Sequence, residues 1–134
     1  MTPGSPGPSL PAALRACARG LYPLEAGVDL LIGHACWLHR QDFTDQFIHS
    51  GISITDGVTT MAEIDWPTAV SALDARELAC SGGEERMLRL AASIAGGIPV
   101  SLRDTLTGID HRNIELVVTA VLHAWGQRPA PEIS

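Results

Sequence analysis

The chain has 134 residues, 46% of them hydrophobic and 18% charged, with a formal charge of −6 and no lysine. That length suits one hydrophobic core and leaves no room for a second. Acids crowd the front half, where Arg15, Arg19, Arg40 and Arg76 stand against nine carboxylates in residues 1–80. Nucleic acid is therefore not the expected partner, since such binding is driven by basic residues displacing counterions. No apolar run reaches the roughly 20 residues of a membrane-spanning helix, and no basic-then-apolar leader opens the chain. We expect no membrane partner and a cytoplasmic location. Cys17, Cys36 and Cys80 have neither the even count nor the tight spacing of a disulfide framework, so reduced thiols are expected.

Residues 1–8 and 128–134 are rich in proline and small side chains, with little apolar surface to bury, and are expected to be disordered tails flanking one globular domain over 9–127. A short first helix over Leu10–Arg19 has proline in its first turn and Gly20 just past its end. A second runs from about Pro23 to about His39, with Leu24, Val28, Leu31, Ile32, Ala35 and Leu38 as its apolar stripe. Asp42 reads as the cap of a short helix from Phe43 to His49.

The period then changes to two, which predicts a β-hairpin over about 52–65. Ile52, Ile54, Val58, Thr60, Ala62, Ile64 and Trp66 share one face only if Thr55-Asp56-Gly57 is a three-residue loop. Ile54 then faces Val58, Ile52 faces Thr60, and Gly57 takes the left-handed conformation of the turn. A short helix enters through Pro67. Ser81 and Glu84 form a capping box for a helix whose buried stripe is Met87, Leu88, Ala91, Ile94 and Ala95, with Glu85 and Arg89 paired on the other side. Gly96-Gly97 ends it. Ser101 and Asp104 repeat the pattern for one or two turns, and Asp110 caps a last helix to about Trp125, closed by Gly126. That helix is apolar around much of its circumference and is expected to be the central, most buried one. The fold class is thus mainly α with one β-hairpin, a compact helical domain with its final helix central.

Ser81-Gly82-Gly83-Glu84 imitates the signature motif of ATP-binding cassettes, and Thr107 to Asn113 looks like the loop after a Walker B strand. The likeness is coincidental. A P-loop needs a lysine to reach the terminal phosphates, the chain has none, and Thr105 stands where a catalytic glutamate would be required. Ser81, Gly82 and Gly83 could still receive a small anion on free N–H groups at a helix start, although the capping box explains them without one. His34, Cys36 and His39 form H-x-C-x-x-H, which invites zinc. On one helix, however, His34 projects away from the other two, and Cys80 or His49 would have to complete the set, so no metal is expected. Asp104, Asp110 and His111 with Arg103 and Arg112 could serve acid–base chemistry, yet two helix starts account for their spacing. No catalytic residue is nominated and no cofactor is expected.

Several segments, Trp66 with Ala69, Leu73-Asp74-Ala75, Cys80 to Glu84, Leu88 to Ser93, Leu102-Arg103-Asp104, Leu106 to Asp110 and Val121-Leu122-His123, together resemble a group of small uncharacterised actinobacterial proteins over roughly residues 24–127. The resemblance implies no activity or ligand. The expected function is that of a small non-enzymatic interaction or regulatory protein, acting on a protein partner or on itself as a homodimer through an apolar helical surface. One alternative is a winged-helix-like DNA-binding regulator, because three helices followed by a hairpin is that module's order. Arg40, Gln41, Thr44, Gln46 and His49 would then read the duplex. A second alternative, a nucleotide or small-anion-binding enzyme, rests on the Ser81 loop.

Overall fold

The computed structural model describes residues 9–126, in which seven helices and a hairpin follow one another. They are α1 (Leu10–Ala18), α2 (Tyr22–His34), α3 (Gln41–Phe47), β1 (Ile48–Ile52), β2 (Thr60–Ile64), α4 (Trp66–Asp74), α5 (Gly82–Gly96), α6 (Leu102–Leu106) and α7 (His111–Trp125). The protein is mainly α with one antiparallel hairpin. Both segments expected as tails lie outside the described residues.

Local chemistry starts most of the helices. The side chains of Ser9, Asp65, Ser81, Ser101 and Asp110 each accept a hydrogen bond from the backbone N–H three residues on, satisfying a donor that the first helical turn leaves orphaned. Proline in the first two positions of α1, α2 and α4 adds a preset φ without losing an intrahelical bond. Left-handed glycines, Gly97 at φ +70° and Gly126 at φ +118°, close α5 and α7.

The core is built around α2, which packs against α1, α5 and α7. Two glycines set how closely. A Cβ on Gly27 would stand 2.4 Å from the Ala95 Cβ and 2.9 Å from the Ala91 carbonyl oxygen, so α2 and α5 pass nearly backbone to backbone. On Gly33 it would meet the Leu116 side chain of α7 at 3.0 Å. The hairpin lies against α1, and α4 against α5. Trp37, Phe43, Leu14, Leu31, Met87 and Leu88 are the largest fully buried side chains.

Four sequence expectations need correction. The second helix does not reach His39. It ends at His34, Ala35 turns left-handed at φ 59°, and Trp37–His39 form a separate 3₁₀ turn. A left-handed alanine costs about 1–2 kcal/mol. Trp37 offsets that by burying its ring completely and donating its Nε1–H to the Glu84 carbonyl at 2.9 Å. The third helix starts and ends earlier than expected, because Arg40 rather than Asp42 occupies its cap position and the chain is already extended at Ile48.

The hairpin keeps the derived register, with Ile52 opposite Thr60, but its ladder runs back to Ile48↔Ile64. Gly57 is left-handed as expected, at φ +69°. Beyond Ile52 the strands give way to a wider loop, in which Ser53 N–H donates to the Thr59 carbonyl and Gly57 N–H to that of Ser53. Only part of the predicted apolar face is covered: Ala62, Ile64 and Trp66 are buried, while Ile52, Ile54 and Val58 project past the core into solvent. Finally, α7 is not the central helix. It lies at the surface, and its buried residues are Val117, Ala120 and His123.

Candidate functional site

Helix α7 presents two apolar faces. Successive residues turn by about 100°, so Leu116, Val117, Ala120 and Ala124 fall on one arc and Val118, Val121, Leu122 and Trp125 on the opposite one. The first arc is packed into the protein. The second is bare, with Val118 52% exposed, Val121 53%, Leu122 44% and Trp125 79%. Their spacing of i, i+3, i+4 and i+7 is that of a core-facing stripe, here with no described residue over it. Leu21 and Tyr22 are also exposed. They lie at the Trp125 end of the helix, since a Cβ on Gly126 would meet the Tyr22 ring at 3.6 Å.

Polar contacts fix the inner arc. Arg112 donates to the Gly33 carbonyl at 2.9 Å, tying the first turn of α7 to the last turn of α2. Near the other end, His123 Nε2 lies 2.8 Å from Glu25 Oε1 and its Nδ1 3.8 Å from Asp29 Oδ2. Arg15 completes the row by donating to Asp29 at 3.0 Å, and the Gly20 N–H donates to Glu25 at 2.8 Å. The network joins α1, α2 and α7. It holds α7 in one orientation and so keeps the apolar outer arc turned to solvent. The sequence reading missed His123, Glu25 and Asp29. The available signal was a histidine falling on the inward arc of an amphipathic helix, which must find a polar partner when buried.

The Ser81 loop forms the capping box in full: Glu84 N–H donates to Ser81 Oγ at 3.1 Å and Ser81 N–H to Glu84 Oε1 at 2.9 Å. Glu84 is further committed. The Ser81 N–H, first, and the neighbouring Cys36 thiol hold its carboxyl below the usual range. Burial, first, and that acidic partner push the Cys36 thiol up to about 11, so it is a poor nucleophile at neutral pH. Gly82 and Gly83 follow the cap, with the Arg86 guanidinium packed between Gly82 and Gly108.

The structure separates the H-x-C-x-x-H residues. His34 ends α2, Cys36 lies beyond the left-handed Ala35 and turns to Glu84, and His39 is exposed at the end of the 3₁₀ turn. Among the described residues, no three His, Cys, Asp or Glu side chains form a group able to hold a metal ion. The acid–base candidates are engaged locally, with Asp110 capping α7, Asp104 in the first turn of α6, and the exposed His111 beside Glu115 at 3.2 Å.

The five nominated duplex-reading residues sit on α3 and its borders, mostly in local bonds. Arg40 grips Asp42 through two bonds of 2.7 and 3.0 Å, donates to the Ala79 carbonyl at 2.7 Å and stacks 4.6 Å above the Trp37 ring. The Thr44 hydroxyl donates to the Gln41 carbonyl, and the Gln46 amide to that of Asp42. Gln41 is exposed at the start of α3, and His49 lies on β1, 4.0 Å from Asp65. Among the described residues no helix is long and apolar enough to cross a membrane. No protein-family model, curated protein or solved structure matches this chain.

Proposed function

We propose that this chain is a small non-enzymatic interaction protein that docks a protein partner on the outer arc of α7. The observation that carries the reading is the bare stripe of Val118, Val121, Leu122 and Trp125 on a helix whose other face is already packed. The largest apolar patch on a soluble protein, typically about 300–600 Å², is often its binding surface. An exposed tryptophan with aliphatic neighbours is also the composition of an interface centre. Three free cysteines suit the cytoplasm as the place of action. The duplex-binding reading has weaker support, because its one arginine is engaged with Asp42, Ala79 and Trp37. The nucleotide reading would need the Ser81 cap to open.

A photo-crosslinking amino acid placed at Val118 in the native host tests the proposal. We expect discrete adducts that disappear when Leu122→Arg is added, with the circular dichroism spectrum unchanged. No adduct at Val118 or at Val121 would overturn it.

A further inference from the structure

We propose that a cavity between α1, α2 and β2 binds a small aromatic amine, its ring against Trp66 and its ammonium group at the Glu63 carboxylate. The site shares no residue with the outer arc of α7 and does not depend on it. The cavity measures about 130 Å³, and Leu14, Ala18, Val28, Ala62, Ile64 and Trp66, all buried, form most of its wall. An apolar cavity of roughly 150 Å³ admits benzene, because such walls give a water molecule too few partners to fill it. Two further residues complete the wall on the solvent side, the half-buried Cys17 and the exposed Glu63. Cys17, Ala62 and Glu63 also line a groove of about 240 Å³ over the outer face of the hairpin. The cavity is therefore reached from the groove, past Glu63.

Charge selects the ligand's polar end. Among the described residues no cation pairs with the Glu63 carboxylate. His49 stands directly opposite it in the ladder, but its ring lies 4.0 Å from Asp65 instead. Cys17 adds no charge of its own, because burial, first, and the neighbouring Glu63 raise its pKa, leaving a neutral thiol that behaves as a small apolar group. The cavity thus presents an apolar body with one unpaired negative charge at its entrance, the pattern of an apolar pocket with a single orienting polar group. A chain of net charge −6 also draws small cations toward its surface.

Titration of the full chain with benzylamine, followed by NMR at pH 7 and low salt, tests this, with benzyl alcohol and benzoate as uncharged and oppositely charged comparisons. Benzylammonium should saturably shift the Trp66 indole N–H and the methyl groups of Leu14, Val28 and Ile64. Benzyl alcohol should bind about three- to fivefold more weakly, the margin of one solvent-exposed ion pair, and benzoate more weakly still. In Glu63→Gln, a change at an exposed position, benzylammonium should lose its advantage over benzyl alcohol. Cys17→Leu adds bulk to the wall shared by cavity and groove and should weaken all three by more than about tenfold; if it fails to fold, Glu63→Gln still decides. No saturable shift at up to about 10 mM ligand, or shifts confined to residues away from the cavity, would overturn the site. Equal binding of amine and alcohol to the parent, or an advantage unchanged in Glu63→Gln, would overturn the role of the carboxylate and with it the amine as ligand.

Discussion

Helices α5 and α7 are each fifteen residues long, open on a side-chain cap and close on a left-handed glycine. Their depths nevertheless differ. Met87, Leu88, Leu90, Ala91 and Ala92 of α5 are all buried, whereas α7 buries Val117, Ala120 and His123 and leaves its bulkiest residues outside. Apolar content does not explain this, because α7 has the longer run of large aliphatic side chains. Small residues do. Gly27 on α2 opposite Ala91 and Ala95 on α5 lets two backbones approach, and the rest of the molecule wraps around that crossing. A helix that is apolar all round becomes central only if its neighbours can come close on every side. Among the described residues, helix α7 packs on α2 and α5 with one side and has nothing over the other.

The largest expected effect separates the two helices directly. Leu88→Ala empties a fully buried site in α5 and should cost about 2–5 kcal/mol, while Leu122→Ala on the outer arc should cost less than about 1 kcal/mol in the monomer. Urea denaturation at concentrations too low for association gives both values. Equal losses would mean that the outer arc of α7 is covered within one chain, and the contrast would collapse.

A smaller effect probes what the two helices share. Ser81→Ala and Asp110→Ala should each destabilise by about 0.5–2 kcal/mol, the ordinary range for losing an N-cap. Glu84→Gln should be milder, because glutamine still serves a capping box. Thermal melts make the comparison, run with and without ATP or phosphate. If phosphate stabilised the parent but not Ser81→Ala, and Ser81→Ala cost nothing by itself, the α5 start would be an anion site and not merely a cap.

The smallest effect lies where α2 ends. His34 is half-buried, its Nδ1 has no hydrogen-bond partner among the described residues, and burial lowers its pKa from 6.5 despite the opposing pull of Glu84. The unfolded chain therefore binds the proton more readily than the folded one. The contribution to stability is present above pH 6.5 and lost as pH falls through the lower folded value. Denaturation midpoints followed from pH 7.5 downward should show this slope in the parent and a flatter one in His34→Asn. An identical slope in both would place the titration elsewhere.

Much of the outline was legible in the sequence because it is written in short-range chemistry. Ser81 with Glu84, and Asp110 with the Asn113 N–H, mark helix starts through bonds spanning three residues. Gly57, Gly97 and Gly126 mark turns that need a positive φ, and alternation of side chains gave the Ile52↔Thr60 register. Depth and interruption were not legible. The second helix breaks at Ala35, a residue with no turn preference, because Trp37 finds its place beneath Glu84, 47 residues away in the chain. The outer arc of α7 has no described residue over it because α2 and α5 meet only its other face, which the sequence of α7 itself does not show. His123 reads as an ordinary residue of the last helix until Glu25, 98 residues earlier, is brought to 2.8 Å. Caps, turns and strand alternation are decided by neighbours in sequence, so the sequence alone determined them. Which faces meet is decided by contacts between distant segments, whose free energies appear only when the chain is assembled, and that only the tertiary structure could decide.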